Sequence, residues 1–394
     1  MLTKIRLTNF KSFKEETIID VAANKCSMLE NTNTSEGILK GLVFVGGNAT
    51  GKTNVLHAIR ILLDLLFTNA IIPIHDYFCI FSKGKNMKLE YEFKIENDCF
   101  VYRLEFNKDG AIDKEKLTLN GDEILNRIGL SADTLLTENK IYDATRIDRN
   151  TPFLKSIYFN TKFTNHSSMI KWFDFLSNSI YFNVHRASLF HSHALAFNTN
   201  VKVNLMEYLE ENGEKKINDF FKSFKFNQEI KYKAGRKPQP DFLEAISGSK
   251  IKEIDFKRNN IDTWLPFAYE SLGNQTLVRM LPSILHIVNT NGMFIVDEFS
   301  SAFHNELEEL IIRFFMNNAK KSQMFFVSHS TNLLKNTLLR PDQIYAVDFD
   351  DEKGSRIKKF SSEHPRESQN IEKMYLSGVF NGLPNYGVAN ENKD

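Results

Sequence analysis

The sequence predicts an α/β protein: a mixed sheet with helices, preceded by N-terminal antiparallel strands and carrying an inserted, mainly helical subdomain. Three observations predict it. Apolar and polar residues alternate near the N-terminus, an apolar run passes through a glycine-rich turn into a long helical pattern, and short apolar runs alternate with helical patterns in the last third. At 394 residues the chain is long enough for two or three structural units.

Taken in order, Leu2, Ile5, Leu7 and Phe10, and then residues 17–21, keep the period of two that half-buried strands require, so residues 11–14 read as the link of a hairpin. Residues 26–37 (CSMLENTNTSEG) read as a polar loop. Residues 38–45 end in LVFV, short enough for a buried strand, and enter a glycine turn. Beyond it Val55, Ile59, Leu62, Leu63 and Leu66 fall three or four residues apart, predicting a largely buried helix over 54–67. MKLEYEFKIEN and CFVYRLEFNKDG extend an antiparallel sheet, with Asn97-Asp98 and Asp109-Gly110 as turns.

Residues 125–265 are less regular, with helical patterns near 166–180 and 203–225 and a polar, basic stretch at 231–240. They are assigned to the inserted helical subdomain, a place for oligomer or partner contacts, between an N-terminal lobe (1–124) and a C-terminal lobe (266–394). In the last lobe 271–290 reads as helix, 293–296 as buried strand, 305–317 as helix, and 324–327 and 344–350 as further strands. Such alternation implies parallel pairing.

Composition bounds the function. The 50 basic and 49 acidic residues leave +1, so bulk charge gives no argument for nucleic acid or membrane surfaces. Between Lys215 and Arg258, however, twelve Lys or Arg stand against six acids, a local excess with two readings, a solvated face or a phosphate-contacting one. Three cysteines without C-x-x-C spacing fit a reducing cytoplasm, and no apolar run is long enough for a membrane span. His191 and His193 alternate without a third ligand in sight and read as ordinary strand or loop residues. No acidic pattern of a nuclease centre is visible.

The residues that carry chemistry begin at Gly46-Gly47-Asn48-Ala49-Thr50-Gly51-Lys52-Thr53, which fits G-x-x-x-x-G-K-[ST] between a strand and a helix. Glycines there let the backbone fold tightly enough to aim amides at phosphate oxygens, and the helix adds its positive end. Lys52 would reach the β and γ phosphates of ATP, and the Thr53 hydroxyl would hold Mg²⁺. Asp297 and Glu298, directly after the apolar run 293–296, supply the metal partner and the group that activates or orients water. His329, after 324–327, is placed to hydrogen-bond the γ-phosphate.

The order of these motifs, with Ser271-Leu272-Gly273-Asn274-Gln275 (S-x-G-x-Q) ahead of the paired acids and Asn9-Phe10-Lys11-Ser12-Phe13 near the start, resembles the ABC-type ATPases of the SMC and RecF branch. The resemblance implies an ABC-type P-loop ATPase head, bound to ATP and Mg²⁺, in a homo-oligomer of at least a head-to-tail dimer. It further implies that Ser271, Gly273 and Gln275 reach ATP held by a second copy, and that Lys11, Ser12 and Asn54 flank the nucleotide. Within that branch the ending at residues 375–384 (YLSGVFNGLP) is similar to the tail of AAA family ATPases of the RloA and AbiL phage-defence type, related to the ATPase subunits of OLD and PARIS systems. That likeness implies a sensor working with a separate effector such as a Toprim-type nuclease encoded nearby. The segment after the paired acids, Phe299 to His304, departs from the family's usual D-loop. Two other readings stay open: a RecF-like DNA repair or recombination ATPase that binds nucleic acid directly, and the motor of a membrane transporter.

Overall fold

The N-terminal hairpin forms as its alternation requires. Leu2–Thr8 pairs antiparallel with Thr17–Asp20 in a computed structural model that describes residues 1–82, 84–143, 145–184, 194–235, 251–301 and 303–383. On its other side Leu2–Thr8 pairs with Met87–Ile95, and the sheet continues antiparallel through Asp98–Phe106, Ile112–Leu119, Asp122–Ile128, Ser131–Thr134 and Ile141–Tyr142. Every second residue of Met87–Ile95 is buried, so one face is core and the other carries charges such as Arg6, Glu90 and Arg103.

A second, mainly parallel sheet of seven strands runs in the order Ala194–Ala196, Ile180–Asn183, Met293–Asp297, Gln323–Val327, Gly41–Val45, Ile344–Asp350 and Gly354–Lys359. The inner strands are apolar and fully buried because helices and the first sheet cover both faces. The helix Lys52–Phe67 lies between the two sheets, buried nearly all round, with Tyr91 Oη donating to Ala58 O at 2.6 Å. It ends at Thr68, whose amide and hydroxyl both return to Asp64 O. The predicted mixed sheet with N-terminal antiparallel strands is thus the observed architecture.

Residues 125–265 depart from the expected mainly helical insert. Their first strands close the edge of the N-terminal sheet, and Ile180–Asn183 enters the central sheet parallel to Met293–Asp297. The helices Phe153–Thr161 and Ser167–Ser177 belong to the same core. Trp172 is fully buried and stacks on Phe100 at 4.8 Å, and Phe67 of the central helix meets Tyr158 and Phe173. Helices do occupy Leu205–Asn212 and Lys215–Ser223, but Gln228–Gly235, Ile251–Arg258 and Leu265–Pro266 form a separate antiparallel sheet. The physical reason is alternation: Ile230, Ile254 and Phe256 face the core while Lys231, Lys233 and Glu253 face water.

The expected loop 26–37 also holds a short helix, Glu30–Asn33. Buried Asn33 anchors it by donating to Leu338 O and Gln343 Oε1. The last third follows the prediction closely, with Leu272–Asn289 and Asn305–Asn318 helical and three strands as expected. His191, His193, Arg236, Lys237, Lys250, Ala302 and Pro384 lie outside the described residues.

Candidate functional site

The strand Gly41–Val45, held between Gln323–Val327 and Ile344–Asp350, delivers the glycine turn at its carboxyl end, the end at which parallel α/β sheets bind ligands. The turn needs unusual backbone. Ala49 has φ +61° and Gly51 has φ +102°, and a Cβ on Gly51 would come within 2.3 Å of Ser355 Oγ and 2.6 Å of Ser12 Oγ. The helix Lys52–Phe67 starts there without a side-chain cap, so its positive end opens on the turn. A cleft of about 250 Å³ results, lined by Asn48, Ala49, Gly51, Lys52, Thr53, Asn54, Glu298 and His329. A hollow of about 660 Å³ at the outer edge of the N-terminal sheet, against Arg146 and His166, is larger but lies away from this turn.

Charges in the cleft are arranged around Lys52, which is 5% exposed and donates to the carbonyls of Gly46, at 3.1 Å, and Gly47. Burial lowers its pKa, while Glu298 and Asp297 pull the other way. Asp297 is also buried, and burial raises its pKa against the opposing hydrogen bond from Thr53. Thr53 Oγ1 donates to Asp297 Oδ1 at 3.1 Å, and Tyr181 Oη and Asn183 Nδ2 donate to Oδ2 at 3.2 and 3.3 Å. Glu298 follows with φ +57°, a left-handed turn that takes the chain out of the strand, and its Oε2 lies 3.7 Å from His329 Nε2. Burial and the Lys52 charge lower the histidine's pKa, Glu298 opposing, which favours a neutral imidazole at pH 7.

The structure therefore brings together Asn48, Ala49, Gly51, Lys52, Thr53, Asn54, Asp297, Glu298 and His329. Gly46 and Thr50 shape the turn, Thr50 Oγ1 donating to Gly47 O at 3.0 Å. Ser12 supports it from behind: its Oγ accepts from Asn54 Nδ2 at 2.8 Å and shares a hydrogen bond with Ser355 Oγ at 2.6 Å. Lys11 turns elsewhere, its ammonium 4.3 Å over the Tyr77 ring.

Ser271, Gly273 and Gln275 lie at the start of Leu272–Asn289, outside the cleft's lining. Ser271 is exposed and caps the helix by accepting from Asn274 N, while Gln275 Nε2 donates to Glu270 O. Around them Tyr269 and Leu272 are 77% and 66% exposed.

On the described part of the basic stretch three cations have carboxylate partners. Lys233 pairs with Asp255, Lys257 with Asp262, and Arg258 with Glu270.

Sequence reasoning missed Tyr181 and Asn183, which orient Asp297, and Ser300, whose Oγ accepts from His329 N at 2.9 Å. The run IYFN was a signal, a short apolar segment of strand-forming residues directly after a helix. Ser355 also escaped notice. Its hydroxyl donates to Thr50 O at 2.6 Å across the back of the turn.

The residues present fit magnesium and a triphosphate. A hydroxyl and a carboxylate oxygen 3.1 Å apart match adjacent positions on an octahedral ion with bonds of about 2.1 Å, about 3 Å between neighbours. Among the described residues no group of three or more His, Cys, Asp or Glu gathers as a metal cage. Thr53 and Asp297 would hold it. It would supply charge neutralisation for the phosphates.

The fold and cleft have the form of a P-loop nucleotide-binding head, with the glycine turn at the carboxyl end of a parallel strand. The chain belongs to the family described as "AAA domain, putative AbiEii toxin, Type IV TA system", whose model matches residues 42–335. No curated protein matches it. Among solved structures it is similar to the SMC head domain from Thermotoga maritima, at 15% identity and TM-score 0.48, over 90% of this chain and 97% of that one. It is also similar to the Smc head domain with an extended coiled coil bound to the C-terminal domain of ScpA derived from Pyrococcus furiosus, at 14% identity and TM-score 0.49, over 96% and 99%. Among the described residues no helix is long and apolar enough to cross a membrane.

Proposed function

We propose that this chain is an ATP-binding and ATP-hydrolysing switch that closes on a second copy of itself and sets the state of a separate effector. The observation that supports it is the division of the site into a phosphate cleft, where Lys52, Thr53, Asp297, Glu298 and His329 converge, and a serine–glycine segment at 271–273 with Ser271 and Leu272 exposed and Gly273 half-buried. The triphosphate would lie along the turn 46–54, its charge met by Lys52 and by the helix end. Glu298 would hold and deprotonate the attacking water, and neutral His329 would donate to the γ-phosphate. In a head-to-tail pair Ser271 and Gly273 of each copy would close over the other copy's nucleotide, so that ATP joins the pair and hydrolysis releases it.

The effector is proposed to be a separate protein such as a Toprim-type nuclease, and the setting anti-phage defence in the cytoplasm. Support for that part comes from the tail resemblance and from the family's description, which names a toxin and a Type IV TA system.

The test is Glu298→Gln. Turnover should fall about a hundredfold or more while ATP still binds, and light scattering with ATP and Mg²⁺ should give twice the mass of one chain. A single-chain mass under those conditions would remove the closure step.

A further inference from the structure

The C-terminal segment that follows the central sheet is bonded directly to the nucleotide turn. The helix Ile371–Leu376 ends in a tight turn, with Gly378, Asn381 and Gly382 all at positive φ. Phe380, fully buried and stacked on Phe360 at 3.8 Å, pins that turn to the body of the protein. Gly382 O then accepts two hydrogen bonds, from Gly47 N at 2.9 Å and from the buried Tyr375 Oη at 3.1 Å. The approach is close: a Cβ on Gly382 would stand 3.1 Å from Val347 O, the same carbonyl that a Cβ on Gly46 would meet at 2.3 Å. Burial pushes the Tyr375 phenol up to about 12, so the hydroxyl keeps its proton and remains a donor.

The same helix reaches the other side of the cleft. Thr331 Oγ1, two residues after His329, donates to Glu372 Oε1 at 3.0 Å. A cavity of about 550 Å³ separates these two attachments, walled by Gly46 to Asn48, Ser330, Tyr375 and Leu383, and Asn48 and His329 line both it and the phosphate cleft. The C-terminal segment therefore holds the start of the phosphate turn through Tyr375 and Gly382, and the loop of His329 through Glu372.

We infer that Tyr375 is a positioning residue for the nucleotide site, acting through Gly382 O on the Gly47 amide, and that the C-terminal helix is the element that clamps the phosphate turn to the His329 loop. A loop held in its binding geometry before the ligand arrives costs less ordering when it binds, so releasing the clamp weakens nucleotide binding rather than chemistry. This rests on the nucleotide reading of the cleft, but the clamp itself is measurable without nucleotide.

The experiment compares wild type with Tyr375→Phe, which deletes the hydroxyl and keeps the ring against Phe360, and with Gly382→Ala as a second way to lift the carbonyl away. Without nucleotide, hydrogen exchange in peptides containing Gly47 should rise about fivefold in both variants, and peptides from Asp98–Phe106 should be unchanged. With ATP and Mg²⁺, KM for ATP should rise by a similar factor while kcat stays within twofold. Unchanged exchange at Gly47 overturns the clamp whatever the nucleotide does. Raised exchange with an unchanged KM in an active protein overturns the positioning role. Raised exchange in the variants together with a wild-type protein that binds no ATP leaves the clamp standing and defeats the nucleotide reading instead.

Discussion

The phosphate cleft and the serine–glycine segment are built in opposite ways. In the cleft Lys52 and Asp297 are buried, and Asp297 alone takes hydrogen bonds from Thr53, Tyr181 and Asn183, so its geometry is fixed before any ligand arrives. At the other end of the proposed site Ser271 caps an exposed helix start, with Leu272 and Tyr269 open to solvent beside it. The difference teaches where the work of each half lies. The buried half can hold charge on its own; the exposed half, in the proposed dimer, would act only when a second copy comes to it.

The largest expected effect breaks the first half. Lys52→Ala removes the only lysine among the described residues that line the cleft, and with it charge-assisted hydrogen bonds to phosphate, so affinity for ATP should fall by about a hundredfold or more in isothermal titration. The second half should fail without the first noticing. Ser271→Arg sets a long cation at the exposed helix start, and the ATP-dependent dimer should be lost in sedimentation while ATP affinity of the single chain stays within twofold. Loss of the serine cap costs about 1 kcal/mol, so melting should drop only slightly. If Ser271→Arg weakened binding to the single chain, the two halves would not be separable as described.

The same contrast sets what could be read in the sequence. The glycine turn, its helix and the paired acids are legible because each is a run of neighbours, G-x-x-x-x-G-K-[ST] or an apolar strand ending in Asp297-Glu298, whose chemistry follows from local order. Tyr181 and Asn183 were not, because they meet Asp297 only through the parallel pairing of strands more than a hundred residues apart, and period alone does not say which strands become neighbours. The hairpin at 228–258 was misjudged for a different reason. Its Ile230 and Tyr232 alternate with Lys231 and Lys233 as a strand should, but the polar composition and the Gly and Pro nearby read as loop. Ser12 lay in a motif whose family role is beside the nucleotide; in the fold its contacts are to Asn54 and Ser355 behind the turn.

The smallest effect concerns a group on the cleft side that the chemistry does not use. Glu308, on Asn305–Asn318, is 1% exposed, and among the described residues its Oε2 has no hydrogen-bond partner. Burial pushes its pKa up to about 7, a hydrogen bond with Ser330, next to His329, holding it back. The unfolded chain ionises this carboxyl near pH 4.3. The folded chain therefore holds the extra proton between about 4.3 and 7, and the group's contribution to stability, full below that window, is lost as pH rises through it. Glu308→Gln is neutral at every pH and should behave like wild type at pH 5 and melt about 2 °C higher at pH 8. Because Glu308 adjoins the His329 loop and not Ser271, the ATP-free melting of Ser271→Arg should keep the wild-type pH dependence, and equal flattening in both variants would mean that the titration does not belong to the cleft side.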